Sequence, residues 1–341
     1  MYAHVMSTLA KGLENAKLNP VYFSRLLSQY QHGRSSYLAA LVAIGVSLLL
    51  CVTVTTCNFQ KSPPPSVFVS IPPQAFFVEQ IAGSLVEVNV LVGSGQSPAT
   101  YDPTPQQMAR LADASFLFTV GVPFEQRLLE KIRSGFKDLK VINTSQGIKL
   151  HSISHNHHDL ESAAPSDPHI WLDPSLVKIQ SETICKALCR LLPEQQEKFE
   201  NNLAIFHQRL DSIAVVVSEK LAALEQRTIY VFHPSYGYFC DAFDLKQVAI
   251  EKDGKEPSAR QLALIVEHCH KDSINVIFVQ PQFSHKMAET IAKAIGGNVV
   301  PLDPLSRDYL NNLTDMAAKI SAALGGQEVK TIRTKTQSDK M

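Results

Sequence analysis

Between Phe199 and Leu224 apolar residues stand at Phe199, Leu203, Phe206, Leu210, Ile213, Val217, Leu221 and Leu224, spaced by steps of four and three without a break. Only a helix returns side chains to one face at that interval. The stripe follows Pro193, and roughly 30 residues of helix extend about 45 Å. A helix of that length can lie along two bodies and restrict their relative motion, so 193–226 is expected to be a linking spine.

On each side of the spine, short β-rich runs alternate with helical periodicity. Before it, 67–71, 87–92, 115–120 and 139–143 read as strands and 74–85, 104–114 and 124–134 as helices, with Pro103 and Pro123 at helix starts. After it, 228–232, 246–250, 275–279 and 298–302 read as strands and 258–270 and 284–295 as helices. Strand–helix alternation dictates parallel pairing. The expected fold is α/β, with two lobes at 67–192 and 227–325, each a small parallel four-stranded sheet flanked by helices, joined by one long spine helix. The polar tail 326–341 is expected to be disordered.

Ahead of the lobes, no charged residue occurs from Ser35 to Gln60, and 37–57 is apolar enough to cross a bilayer or to act as an export signal. Lys11, Lys17, Arg25 and Arg34 precede it against Glu14 alone, which keeps 1–36 cytoplasmic and exports the rest. Residues 58–66, rich in proline, read as a stiff tether. Val54-Thr55-Thr56-Cys57 resembles a lipoprotein processing site without the usual small residue before Cys57, so lipidation and a helical anchor both stay open. An upstream mis-assigned start would account for the length of 1–36.

The balance of 32 Lys plus Arg against 32 Asp plus Glu, with 45% hydrophobic residues, excludes a phosphate-backbone binder and a disordered chain. Six Cys without CxxC pairs make neither a zinc ribbon nor a dense disulfide scaffold. Cys185 and Cys189 are expected to be packed thiols, while Cys240 and Cys269 are candidates for a bridge. No GxSxG, P-loop or GxGxxG is present. Histidine is the unevenly placed residue: of 12, His151, His155, His157, His158 and His169 share one short stretch.

In open α/β sheets the ligand crevice lies beyond the carboxyl ends of the strands. His233 directly follows the run 228–232 and Asp303 follows 298–302, while His169 sits in Asp167-Pro168-His169-Ile170-Trp171-Leu172-Asp173-Pro174. Two imidazoles and a carboxylate from different loops suit a borderline metal such as Zn²⁺, or Mn²⁺ given more oxygen ligands. His207, His268, His270 and His285 are expected to face solvent.

From 67 to about 324 the chain resembles the substrate-binding protein of bacterial zinc and manganese ABC importers, the zinc-uptake solute-binding family. The matching stretches are Ser97-Pro98-Ala99-Thr100-Tyr101-Asp102-Pro103-Thr104-Pro105, the run 167–174, Phe232-His233-Pro234-Ser235-Tyr236-Gly237-Tyr238-Phe239, Gly254-Lys255-Glu256-Pro257-Ser258 and Pro281-Gln282-Phe283-Ser284. The resemblance implies two lobes with a metal between them, held by His169, His233 and Asp303. Where the family usually has His, this chain has Ala99, which cannot coordinate; water, a mobile residue or part of a larger chelate must take that position. His at 233 resembles the zinc-type members, so zinc comes first and manganese second. Tyr101 and Glu256 are expected to support ligands from behind. The stretch 151–159 resembles the His-rich loop of zinc-type members, an auxiliary metal loop carrying His151, His155, His157 and His158.

The implied protein is not an enzyme. It is a monomeric, membrane-anchored binding component on the extracytoplasmic face of the cytoplasmic membrane, handing zinc to an ABC permease with its ATPase and binding no nucleic acid. Because metal-binding imidazole must be deprotonated, affinity is expected to collapse below about pH 6. An exported zinc-dependent hydrolase, a manganese-binding member and an adhesin-type member are the alternatives.

Overall fold

Short strands joined one to the next through helices pair in parallel, because each helix carries the chain back across a face of the sheet. A computed structural model of the chain, which describes residues 63–133, 135–152, 166–251, 258–271, 274–283 and 285–325, shows that arrangement twice. In the first lobe β1 (Ser66–Val69), β2 (Glu87–Val90), β3 (Phe116–Thr119) and β4 (Lys140–Asn143) are parallel in the order β2-β1-β3-β4. The crossovers are α1 (Pro72–Ala82), α2 (Pro105–Ala112) and α3 (Pro123–Ile132). Each begins on a proline, whose missing N–H is an unsatisfied donor at that position in any helix. The start expected at Pro103 lies at Pro105 instead, because Thr104 and Gln107 close a reciprocal capping box.

In the second lobe β5 (Thr228–Val231), β6 (Lys246–Ala249), β7 (Val276–Val279) and β8 (Asn298–Pro301) repeat the pattern as β6-β5-β7-β8. Their connections carry α6 (Gly237–Ala242), α7 (Ala259–Lys271) and α8 (His285–Ala294). Between the lobes, α4 (Pro174–Leu191) leads through a short turn at Pro193–Gln195 into the spine α5 (Gln196–Leu221). Its 26 residues extend about 39 Å at 1.5 Å per residue. Phe199, Phe206, Leu210, Val217 and Leu221 of the expected stripe are buried, whereas Ile205 and Val215 on the opposite face are exposed.

The second lobe does not contain its own end. Helix α9 (Tyr309–Leu324), for which the strand–helix pattern gave no expectation, returns from β8 to pack against α1 and α5. Tyr309 meets Phe77 edge-on at 5.0 Å, and Phe206 of the spine meets the same Phe77 at 5.9 Å. Leu310, Leu313, Met316, Ala317 and Ile320 continue that face into the core of the first lobe. An apolar helix face needs an apolar partner, and α1 with α5 provides it.

One apolar cluster therefore runs from the first sheet through α4, α5 and α9 to one face of the second sheet, where Ile229, Val231, Val276 and Phe278 point. The alternate residues Tyr230, Phe232, Ile277 and Val279 point to a separate cluster with Cys269, Ala288 and Ile291. Cys240 is a free buried thiol in the first cluster, so the bridge considered for it and Cys269 is not formed. Cys185 and Cys189 are free, with sulfurs 3.9 Å apart. No helix among the described residues is long and apolar enough to cross a membrane; 1–36, the segment 37–57 with Cys57, and the tail 326–341 lie outside them.

Tyr309 is almost fully buried, yet its hydroxyl has no hydrogen-bond partner among the described residues. Replacing an unpaired buried hydroxyl with hydrogen removes a desolvation cost of about 1 kcal/mol or more. Tyr309→Phe is thus expected to raise the unfolding free energy by about 1 kcal/mol, seen as a higher urea midpoint at an unchanged slope. A drop of that size would show the hydroxyl to be satisfied.

Candidate metal centre

The carboxyl ends of both sheets open on one cleft. From the first lobe come Ser97, Pro98 and Ala99 beyond β2, Val122 and Pro123 beyond β3, and the segment of Pro168, His169 and Trp171. The second lobe contributes His233, Pro234 and Ser235 beyond β5, Gln282 and Phe283 beyond β7, and Pro304 and Leu305 beyond β8. The cavity measures about 110 Å³ and its wall is mainly apolar. Two contacts tie its sides together: Trp171 Nε1 donates to the carbonyl of Pro304 at 2.7 Å, and Tyr238 Oη donates to the carbonyl of Asp167 at 3.0 Å. Gly237 packs tightly at this closure: a Cβ there would lie 3.0 Å from Asp167 Oδ2, which would have to shift by a few tenths of an ångström.

His169 and His233 face each other across the cleft, ring centroids 5.6 Å apart and planes at 72°. Two imidazoles sharing one tetrahedral zinc at about 2.0–2.1 Å per bond have centroids about 5.2 Å apart. The rings already stand near that separation.

Each ring is fixed from behind by a carboxylate. His169 Nδ1 lies 2.6 Å from Asp167 Oδ1, which also accepts the His169 backbone N–H at 2.9 Å. His233 Nδ1 lies 3.1 and 3.2 Å from the two oxygens of Glu251, a buried carboxylate beyond β6. An ionised carboxylate only accepts, so each Nδ1 carries the proton and each Nε2 keeps a lone pair for the cleft. The backbone of His233 is clamped by the buried amide of Gln280, whose Nε2 donates to its carbonyl at 2.6 Å while Oε1 accepts its N–H at 3.2 Å. Phe283 stacks on the His233 ring at 4.7 Å.

Several expected residues stand elsewhere. Asp303 lines the neighbouring hollow with Arg307, and its Oδ1 already accepts from Gln282 Nε2 at 2.9 Å and Leu305 N at 3.0 Å. No group of three or more His, Cys, Asp or Glu side chains is gathered closely enough to hold a metal among the described residues. Tyr101 supports no ligand: it packs on Phe124 at 4.9 Å and donates its hydroxyl to Gln107 at 2.8 Å, because the turn before α2 folds it into the core. His151 leaves the cleft to stack on Tyr238 at 4.0 Å, with Nε2 3.3 Å from Asp241. Glu256, His155, His157 and His158 lie outside the described residues. His207 is half-buried, with Nε2 2.9 Å from Ser181 Oγ, and burial holds its pKa below the usual value, whereas His268 and His270 are exposed as expected.

The sequence reading assigned no role to Asp167, Glu251, Gln280 or Glu125. The signal for the first three is positional: each lies at a strand end or loop beside a candidate histidine. Glu125 is the third residue of α3, and its oxygens accept the N–H groups of Val120 at 2.9 Å and Gly121 at 2.7 Å, tying down the turn before Val122. Burial raises its pKa to about 7 against the lowering effect of Ser70 and these amides.

Residues 67–323 match the family described as "Zinc-uptake complex component A periplasmic". The chain belongs to this zinc-uptake family. A crystal structure of ZnuA superposes with a TM-score of 0.73 at 40% identity, covering 76% of this chain and 99% of that one. The zinc-binding lipoprotein AdcA of Streptococcus pneumoniae is 27% identical over 277 residues, 77% of this chain and 55% of its own length. The chain thus spans about half of that relative. A putative metal-binding protein of Treponema pallidum is 26% identical over 288 residues, 82% of this chain and 91% of its own. The zinc-uptake family's two-lobed architecture is the one described above, including the long helix between the sheets.

Proposed function

We propose that the chain is the extracytoplasmic solute-binding component of a zinc ABC importer, capturing Zn²⁺ between its lobes and delivering it to a membrane permease driven by an ATPase. The observation that carries this is the facing pair His169 and His233, each with Nδ1 committed to a carboxylate and Nε2 left for a cation. Asp303, bonded to Gln282 and Leu305 of the cleft wall, supplies the third donor through a carboxylate oxygen once it turns from the neighbouring hollow. Manganese is the second choice, less suited to two nitrogen donors. The protein is held at the membrane by a lipid on Cys57 after the export segment before it is removed, a reading that the name of the pneumococcal relative supports. The protein acts as a monomer.

Calorimetric titration of the metal-stripped chain with Zn²⁺ and Mn²⁺ tests this reading. One zinc per chain, bound more tightly than manganese, is the expected result; two equivalent ions or none would oppose it. Asp167→Asn and Glu251→Gln, which keep shape but release the proton control on Nδ1, are each expected to weaken zinc ten- to hundredfold. An unchanged affinity in both would show that the carboxylates serve packing alone.

A further inference from the structure

We propose that the cleft takes its zinc as a complex with a small N,O-chelating amino acid and not as a bare ion. This rests on the capture reading above and names the form of the cargo. Among the described residues few donors serve the cleft: the imidazoles of His169 and His233 line it, and Asp303 adds at most a third. Ala99 lines the same wall and offers only a methyl group. Zinc takes four donors and accepts five, so one or two positions fall to something other than these side chains.

The cavity has the size for it. Its 110 Å³ is several times the space that one water needs, about 10–15 Å³, so several heavy atoms fit beside the ion. The wall selects the class. Pro98, Val122, Phe283 and Leu305 are apolar, and no Lys or Arg is among the described lining residues. A polyanion such as citrate would leave buried negative charge uncompensated, whereas one carboxylate is matched by the dication. Ser97, Ser235 and Gln282 stand in the wall as hydrogen-bonding groups for the chelate's amine and free carboxylate oxygen. In the step itself the amino acid's ammonium loses one proton to solvent, its nitrogen and one carboxylate oxygen bind Zn²⁺, and the chelate of charge +1 docks on the two Nε2 atoms.

The test is native mass spectrometry with calorimetry on the full chain, using Zn²⁺ alone and Zn²⁺ with glycine, L-histidine or citrate, affinities being referred to free zinc. The expected result is an adduct of chain, zinc and one amino acid, with affinity at least about tenfold higher with glycine or histidine and unchanged with citrate. Ala99→His, in an exposed loop, is expected to bind zinc alone more tightly and to lose the amino-acid adduct. Adducts of zinc alone at one affinity under all conditions would overturn the chelate while leaving zinc capture intact. Absence of zinc under every condition would overturn both.

Discussion

Replacing His233 with alanine is expected to lower zinc affinity by more than a hundredfold, and His169→Ala to do the same. Either change leaves one imidazole in a cleft whose described lining offers no other nitrogen donor of that kind. Removing a supporting carboxylate costs about ten- to hundredfold, and removing the ligand it supports must cost more. The double variant should be hardly worse than either single one, because the pair works as a unit. Calorimetry beside circular dichroism makes the comparison, since both rings are partly exposed and their loss should leave the fold intact. Affinities within a few-fold of the unmodified chain would move the metal to other residues.

The second large effect concerns stability. Glu125 has its folded-state pKa raised from 4.5 to about 7, because burial disfavours its charge. The folded chain therefore holds a proton that the unfolded chain has released, and this contribution is fully present below about pH 4.5. It is lost as pH rises through about 7. A shift of that size corresponds to about 3 kcal/mol. Urea unfolding of the chain and of Glu125→Gln, at steps between pH 4.5 and 8, should show the unmodified protein's advantage shrinking by about that amount. Gln keeps one acceptor for the turn N–H groups, so the variant should fold. Parallel curves for the two proteins would mean that Glu125 titrates normally.

Local signals carried the fold far. The spine showed in the interval between Phe199 and Leu224, and the two sheets in eight short apolar runs. Helix α9 did not, since its role depends on Phe77 and Phe206, which no local pattern connects to Tyr309. His169 and His233 were legible from their places after strands and from the family's motifs. Their carboxylates were less so: Asp167 was within reach at two residues' distance, but Glu251 meets His233 only because β6 lies beside β5. Tyr101 and His151 show the converse, motif neighbours whose side chains turn to Gln107 and Tyr238. A sequence lists what a loop carries, while its direction is set by contacts made far along the chain.

The apolar cluster shared between the lobes bears on how cargo is exchanged. Parting the lobes like jaws would pull α9 from α1 and α5 and bare several hundred Å² of apolar surface, at about 25 cal/mol per Å², so roughly 5–10 kcal/mol. At that cost the parted form is a minor population, below about one molecule in a thousand at equilibrium. Loading and unloading are then expected chiefly at the rim, with loops beyond β2, β5 and β8 shifting while the chassis stays closed. The permease proposed above would then meet nearly the same silhouette full or spent, and would read the protein's state from those few rim residues.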